Sequence, residues 1–441
     1  MFSFLKEKVA QELKRAGLTR DVSVLAGGTT AAQSITVLAT PILTRLYTAE
    51  DFGYLQIYVM ILAFLLVIVA WRYELTILLA EAEDTVASLV VLALGIVVTM
   101  SLLCAGVTWW AHGSNSLPQQ LKPLQHYLWL MPISLFGAGV YLVLSHWALR
   151  QKAYQQVATT KLTQSFGQIT TQLLLGAWFK TGVLGLLLGD AIGRVAGSAR
   201  LAGLAWKQNR KLFRAVRWNG MWKAAVRYKR FPLVSSGAAL INTAGFALPS
   251  LMLGAFFGSQ VLGWFALVDR VMTAPYAFVG VAVSQVYSVE AARVAKIEPT
   301  NMQSLFLKLI KKLAVIGAIP CILVFMAGPW LFSFIFGEAW REAGVYARLL
   351  AGLHWVSFIA WPLTPTLNLL EEQTQQFWWD IGRLILTLVC MWLPYYLGLS
   401  ARLAITAYGV AMLTAYIAHL FLSHRAIQRR IRQATVSVRP E

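Results

Sequence analysis

The sequence has 441 residues, of which 58% are hydrophobic and only 13% charged, too little polar material to cover a water-soluble surface of that size. Its apolar runs of about 20 residues have the length of helices that cross a bilayer core, not of the shorter alternating strands of an outer-membrane barrel, and about twelve can be counted. The formal net charge of +19 points to a membrane topology rather than to nucleic acid. With the N-terminus cytoplasmic, Lys and Arg number about 5, 1, 3, 9, 5, 1 and 5 in the inner segments against roughly 6 in all outer loops.

The opening residues, MFSFLKEKVAQELKRAGLTR, are interrupted by charge before any apolar region long enough for a signal peptide forms. Phe2, Leu5, Val9 and Leu13 recur at helical spacing, so residues 1–21 are expected as an amphipathic helix on the cytoplasmic surface. A first span follows over residues 22–43 and a second over 52–71, joined by the acidic turn TAEDFG. Gly28, Pro41 and Gly53 punctuate this stretch, and Gly237, Pro249 and Gly263 stand in the same order in the second half. That spacing suggests an internal repeat. An even number of spans per half places both halves the same way up, with a pseudo-two-fold axis along the membrane normal.

The second span closes on Arg72, Tyr73 and Glu74, and the third and fourth follow to about Leu149. The fifth carries Thr160, Gln164, Gln168 and Gln172 at steps of four, which places them along one side of a helix. Two readings stand: hydrogen bonds to a neighbouring helix, or a polar stripe on a wet cavity in contact with sugar hydroxyls. The sixth, read as one span from Val183 to Trp206, carries Gly185, Gly189, Gly193 and Gly197, a small-residue stripe that lets another helix approach closely. Beside it lie Asp190, Arg194 and Ser198.

The segment 207–231 has no acidic residue and mixes Trp and Phe among its cations, as a linker on anionic lipid would. These features divide the chain into the N-terminal segment 1–21, an N-lobe over 22–206, the basic linker, a C-lobe over 232–423 and a basic tail over 424–441. Prolines 249, 275, 320, 362 and 394 fall inside C-lobe spans, where they open backbone bonds and permit bending.

Asp190, Arg194, Asp269 and Arg270 lie within predicted spans, where an ionised side chain facing lipid costs roughly 2.5 to 3.5 kcal/mol. They are expected to pair or to face water. Asp190 and Arg194 have the spacing of an internal ion pair, whereas Asp269 and Arg270 are neighbours about 100° apart on a helix and need partners elsewhere. Arg383 is expected to snorkel to the inner surface. The six histidines are scattered and the three cysteines fall in apolar spans, so no metal site, disulfide or cofactor is expected. No Walker A loop, convincing nucleophile or carboxylate pair stands in the loops, which argues against an enzyme.

The stretch GGTTAAQSITVLATPILTRLYTAEDFGYL, the following WRYELTILLAEAED, and LGWFALVDRVMTAPYAFVGVAVSQVYSVEA resemble the Wzx-type O-antigen and polysaccharide flippases of the multidrug/oligosaccharidyl-lipid/polysaccharide exporter superfamily. The resemblance implies an all-α membrane protein of twelve spans in two six-helix lobes. It also implies movement of an undecaprenyl-diphosphate-linked oligosaccharide from the inner to the outer leaflet of a bacterial plasma membrane. The lobes would alternate access to a cationic cavity, coupled to a proton or sodium gradient, with both termini cytoplasmic, among membrane lipids and in contact with polysaccharide polymerase machinery. Inward-facing charge, set beside that resemblance, leads to the expectation of Arg270 and Arg194 at the diphosphate, Arg72 near its entry, Gln164, Gln168 and Gln172 at the sugars, and Asp190, Asp269 or Glu74 as ion-pairing or coupling groups. A drug-efflux pump of the same plan is the alternative, disfavoured because a cationic cavity has the wrong sign for organic cations.

Overall fold

The structure, a computed structural model, describes residues 18–113, 122–297 and 299–437, in which every regular element is helical. The amphipathic helix expected at 1–21 falls almost entirely outside these residues. The chain divides into two compact units, Met1–Ala247 and Leu248–Glu441.

In the first unit, α1 (Leu18–Leu46) runs to a tight turn before α2 (Ala49–Ile68). The acidic turn becomes a capping box: Thr48 accepts from the backbone of Asp51, whose carboxylate accepts from the Thr48 N–H. Two of the orphaned amide donors at the start of α2 are satisfied in this way. There follow α3 (Glu83–Gly113), α4 (Leu130–Arg150), α5 (Tyr154–Ala177), α6 (Val183–Val195), α7 (Ser198–Ala215) and α8 (Trp218–Arg227). At the end of α4, Arg150 donates to the carbonyls of Ile77, Ala80 and Glu81 and pairs with Glu83. It thereby ties down the connection between α2 and α3.

Small residues set the helix spacing. A Cβ on Gly28 would lie 2.5 Å from that of Ala158, which brings α1 against α5. Along α6, Cβ atoms on Gly189 and Gly193 would meet Gln172 and Gln168 at 2.3 and 2.7 Å, so the glycine stripe is where α5 seats. The repeat is only partly mirrored: α2 begins at Ala49 and α10 at Ser259, each four residues before its glycine, but a Cβ on Gly237 would meet nothing.

The sixth span is not one helix. It breaks at Ala196 and Gly197, the glycine taking a left-handed φ of +77°, and restarts as α7. Glycine permits the break, because an L side chain rarely adopts that φ, and a Cβ on Gly197 would also stand 3.0 Å from Thr160 and 3.3 Å from its carbonyl. The basic segment 207–231 is largely helical, and α8 packs on α3 while Tyr73 donates to the carbonyl of Ala225. Trp206, Trp218 and Trp222 remain exposed, and Arg210 and Arg214 stack over Trp206. Deeper in the unit, buried Tyr58 donates to buried Ser134 at 2.7 Å. Tyr58→Phe is expected to cost about 1 kcal/mol, read as a lower melting midpoint of the detergent-solubilised protein.

Helix α9 (Ser236–Phe257) contains the boundary between the units. The second unit continues with α10 (Ser259–Pro275), a π turn over Tyr276–Gly280, and α11 (Val281–Ile297). Four long helices complete it: α12 (Pro299–Phe336), α13 (Arg341–Ala360), α14 (Gln373–Tyr396) and α15 (Ala401–Ser437). Pro275 directly precedes the π turn, where the missing proline amide leaves the i→i−4 ladder open. Arg383 does not snorkel. It is buried, donates to Asp380 and lies 5.0 Å from the ring centre of Trp379, so a local carboxylate and an aromatic face hold the guanidinium instead of water.

Eight helical stretches among the described residues are long and apolar enough to cross a membrane, which makes this a multi-pass membrane protein. The remaining four of the twelve expected spans are α1, α5, the α6–α7 pair and the α10–α11 pair. The last two are interrupted, with α6 only 13 and α10 only 17 residues long. The first two are diluted by Thr, Gln and Gly. Three of these four, α1, α5 and α6, wall the same cavity.

Candidate functional site

A cavity of about 310 Å³ opens inside the first unit, lined from α1 by Thr29, Ala32 and Gln33 and from α4 by Ala138 and Tyr141. Helix α5 contributes Lys161, Gln164, Ser165 and Gln168, and α6 contributes Asp190, Gly193 and Arg194. Water or a polar cargo offsets the cost of so many polar groups at membrane depth, which lipid could not do.

Two of the three candidate glutamines reach this space. Gln164 lines it while donating to the carbonyl of Arg194 at 3.3 Å, and Gln168 lines it too. Gln172 does not. It is 1% exposed and donates to the carbonyl of Leu186, while Tyr47 donates to the carbonyl of Gln172 itself. The glycine stripe of α6 makes room for this packing, so Gln172 joins helices and offers nothing to a sugar.

Arg194 and Asp190 both reach the cavity, locked together. The guanidinium donates through Nε to Oδ2 at 2.6 Å and through Nη2 to Oδ1 at 3.1 Å, the two-pronged geometry that makes arginine–carboxylate pairs strong. Lys161 was absent from the residues singled out by sequence. Its ammonium donates to Thr29 Oγ1 at 3.2 Å, and it shares the cavity-facing side of α5 with Gln164 and Gln168.

The other candidates lie elsewhere. Arg72 takes a left-handed backbone at the start of the short helix Tyr73–Thr76 and faces Glu74 at 3.8 Å. Glu74 is 1% exposed. Burial holds its carboxyl above the ordinary range, against the opposing effects of a backbone hydrogen bond and of Arg72 and His146. Since the folded form favours the proton, protonation of Glu74 stabilises the fold, and that contribution is lost as pH rises through the raised pKa. Glu74→Gln is accordingly expected to match or exceed wild-type thermal stability at neutral pH and to lessen its dependence on pH, which melting curves at several pH values would check.

Asp269 and Arg270 belong to α10 in the second unit. Asp269 retains accessible surface, and no cation lies within ion-pair distance of it among the described residues.

Comparison with known proteins follows these features. Residues 42–345 match the family described as polysaccharide biosynthesis protein. The chain belongs to that family. No curated protein matches it. Among solved structures, this family member is similar to an inward-facing multidrug resistance MATE family transporter of the MOP superfamily, at 12% identity and a TM-score of 0.64, over 91% of this chain and 96% of that one. It is similar to the lipid II flippase MurJ in an inward closed conformation, at 10% identity and a TM-score of 0.66, over 93% and 90%. A third likeness, at 12% identity and 0.59 over 93% and 96%, is to a MOP superfamily transporter from Pyrococcus furiosus whose binding pocket is described as reversed in polarity. At such identities the likeness shows the fold, that of MOP superfamily transporters.

Proposed function

We propose that the protein is a flippase that carries an undecaprenyl-diphosphate-linked oligosaccharide, such as an O-antigen repeat unit, from the inner to the outer leaflet of a bacterial plasma membrane. One observation carries most of the weight: three of the four spans too polar or too interrupted to pass as ordinary ones, α1, α5 and α6, wall one cavity with their polar side chains. A hydroxyl-rich cargo suits such a wall, because glutamine both donates to and accepts from sugar hydroxyls. Membership of a polysaccharide biosynthesis family supports a cargo of that class.

In this reading Gln164 and Gln168 contact sugar, while Arg270 and Arg72 attend the diphosphate at different stages of passage and Arg194 does so only if its pair with Asp190 opens. Arginine suits that work because its charge persists at any relevant pH and its planar fork fits phosphate oxygens. Asp190, Asp269 or Glu74 would couple transport to a proton or sodium gradient, both termini would face the cytoplasm, and a polysaccharide polymerase would receive the product among the surrounding lipids. Transport breaks and forms no covalent bond, so no catalytic residue is assigned.

The test is leaflet movement of undecaprenyl-diphosphate-linked oligosaccharide in proteoliposomes, with wild type, Arg270→Ala and protein-free vesicles in parallel. Wild type is expected to move the lipid, and Arg270→Ala to slow it by about tenfold or more, the worth of one charge-assisted contact. Failure of folded wild type with every repeat unit and gradient tried would leave drug efflux as the function. The MATE-like fold is compatible with efflux, but two cations against one carboxylate on the cavity wall are not the lining an organic cation would select.

A further inference from the structure

The charges lining the first-unit cavity do not cancel. Lys161 and Arg194 face a single carboxylate, Asp190, and Arg194 takes both of its oxygens. Nothing of the kind answers Lys161. Among the described residues its one hydrogen-bond acceptor is the neutral hydroxyl of Thr29, whose own proton goes to the carbonyl of Leu25. No carboxylate lies within ion-pair distance of Lys161 among the described residues. Among the described residues, two of its three donors therefore have no protein acceptor, on a half-buried lysine in the wall of a cavity.

A half-buried cation left in this state is expensive unless something that enters the cavity compensates it. A compact, flexible ammonium suits an anionic oxygen group that arrives and leaves, because it imposes no planar geometry on its partner. Gln168 is seven residues further along α5, about 10 Å at 1.5 Å per residue and on nearly the same side of the helix. The wall therefore offers a charge at one end and an amide at the other, over a length that holds an anion and the sugar attached to it.

We propose that Lys161 binds an anionic oxygen group of the cargo, a phosphate of the lipid diphosphate or a carboxylate of an acidic sugar, and that Gln168 engages the hydroxyls beside it. The Asp190–Arg194 pair then closes the cavity wall next to this contact and does not compete for the anion. This inference rests on the reading that the first-unit cavity holds cargo during transport, and it assigns the anion contact there to lysine rather than to arginine.

The experiment is equilibrium binding of inorganic pyrophosphate, glucuronate and glucose to the full-length protein in nanodiscs, with wild type, Lys161→Met and Lys161→Arg. Wild type is expected to bind at least one of the two anions at millimolar concentration. Lys161→Met should weaken that binding by about tenfold or more, with little effect on glucose, and Lys161→Arg should restore most of it. Loss confined to pyrophosphate assigns the site to the headgroup, and loss confined to glucuronate assigns it to an acidic sugar.

A second measurement needs no variant: the bound anion should protect Lys161 of wild type from reductive methylation, followed by mass spectrometry, while glucose should not. Absence of anion binding, binding unchanged in Lys161→Met, or equal methylation with and without anion would each overturn the proposal. Failure of the flippase reading looks different: wild type would then bind anions through Lys161 yet move no lipid-linked oligosaccharide between leaflets.

Discussion

Gly344→Val is expected to yield almost no folded protein, the largest stability effect of any single change described above. At this point α12 and α13 cross backbone to backbone: a Cβ on Gly344 would lie 2.4 Å from the carbonyl oxygen of Gly328 and 2.6 Å from the Cα of Pro329. No rotamer relieves that contact, because every opposing atom belongs to the main chain. Overpacking a core where side chains can yield costs about 1–3 kcal/mol, and here the helices themselves must separate. Their contact is the most extensive between any two elements of the second unit, so separation would loosen much of it. The readout is the monodisperse fraction after detergent extraction, with Gly237→Val as the control, since a Cβ there meets nothing. Equal recovery of both variants would show that the crossing is softer than this geometry requires.

The helical plan was legible because span length and charge distribution are properties of each segment alone. The break in the sixth span was not. The sequence shows four glycines at regular spacing, and such a stripe permits either a straight packed helix or a kinked one. The same α5 packs on Gly189 and Gly193, where the helix is straight, and beside Gly197, where it breaks, so the stripe alone does not say which glycine will turn left-handed. Arg383 is a similar case: snorkelling is the default for a lone arginine near a span end, but Asp380 and Trp379 sit one turn away and hold it inside.

The polar face of α5 shows most clearly where periodicity misleads. A row spaced by four residues drifts by about 40° at each step on a helix that turns about 100° per residue. From Thr160 to Gln172 the accumulated drift is about 120°, enough to carry the two ends of the row off the face shared by its middle. Thr160 and Gln172 are each 1% exposed, whereas Gln164 and Gln168 line the cavity. Seven residues bring a helix back to within about 20°, so Lys161 and Gln168 share the face, with Gln164 and Ser165 between them. Searching α5 at spacings of three, four and seven together would have found Lys161.

Asp190→Ala is expected to destabilise the protein strongly, while Asp190→Ala combined with Arg194→Met should recover much of the loss. Removing one partner of a buried ion pair costs about 3–5 kcal/mol because the other charge is left without compensation. Asp190 is 7% exposed but Arg194 keeps 24% of its side-chain exposure, which allows some solvation and places the effect toward the lower end of that range. Replacing both charges removes the penalty together with the attraction, so the double variant isolates the energy of the pair. Melting midpoints in detergent would give the four corners of the cycle. The same four proteins separate structure from transport. If the pair only closes the cavity wall, the double variant should move lipid-linked oligosaccharide nearly as well as wild type once it folds. If Asp190 or Arg194 acts on cargo or on a coupling ion, the double variant will be stable and inactive. The first outcome would leave Lys161 as the cavity's working charge, and the second would return Arg194 to the diphosphate.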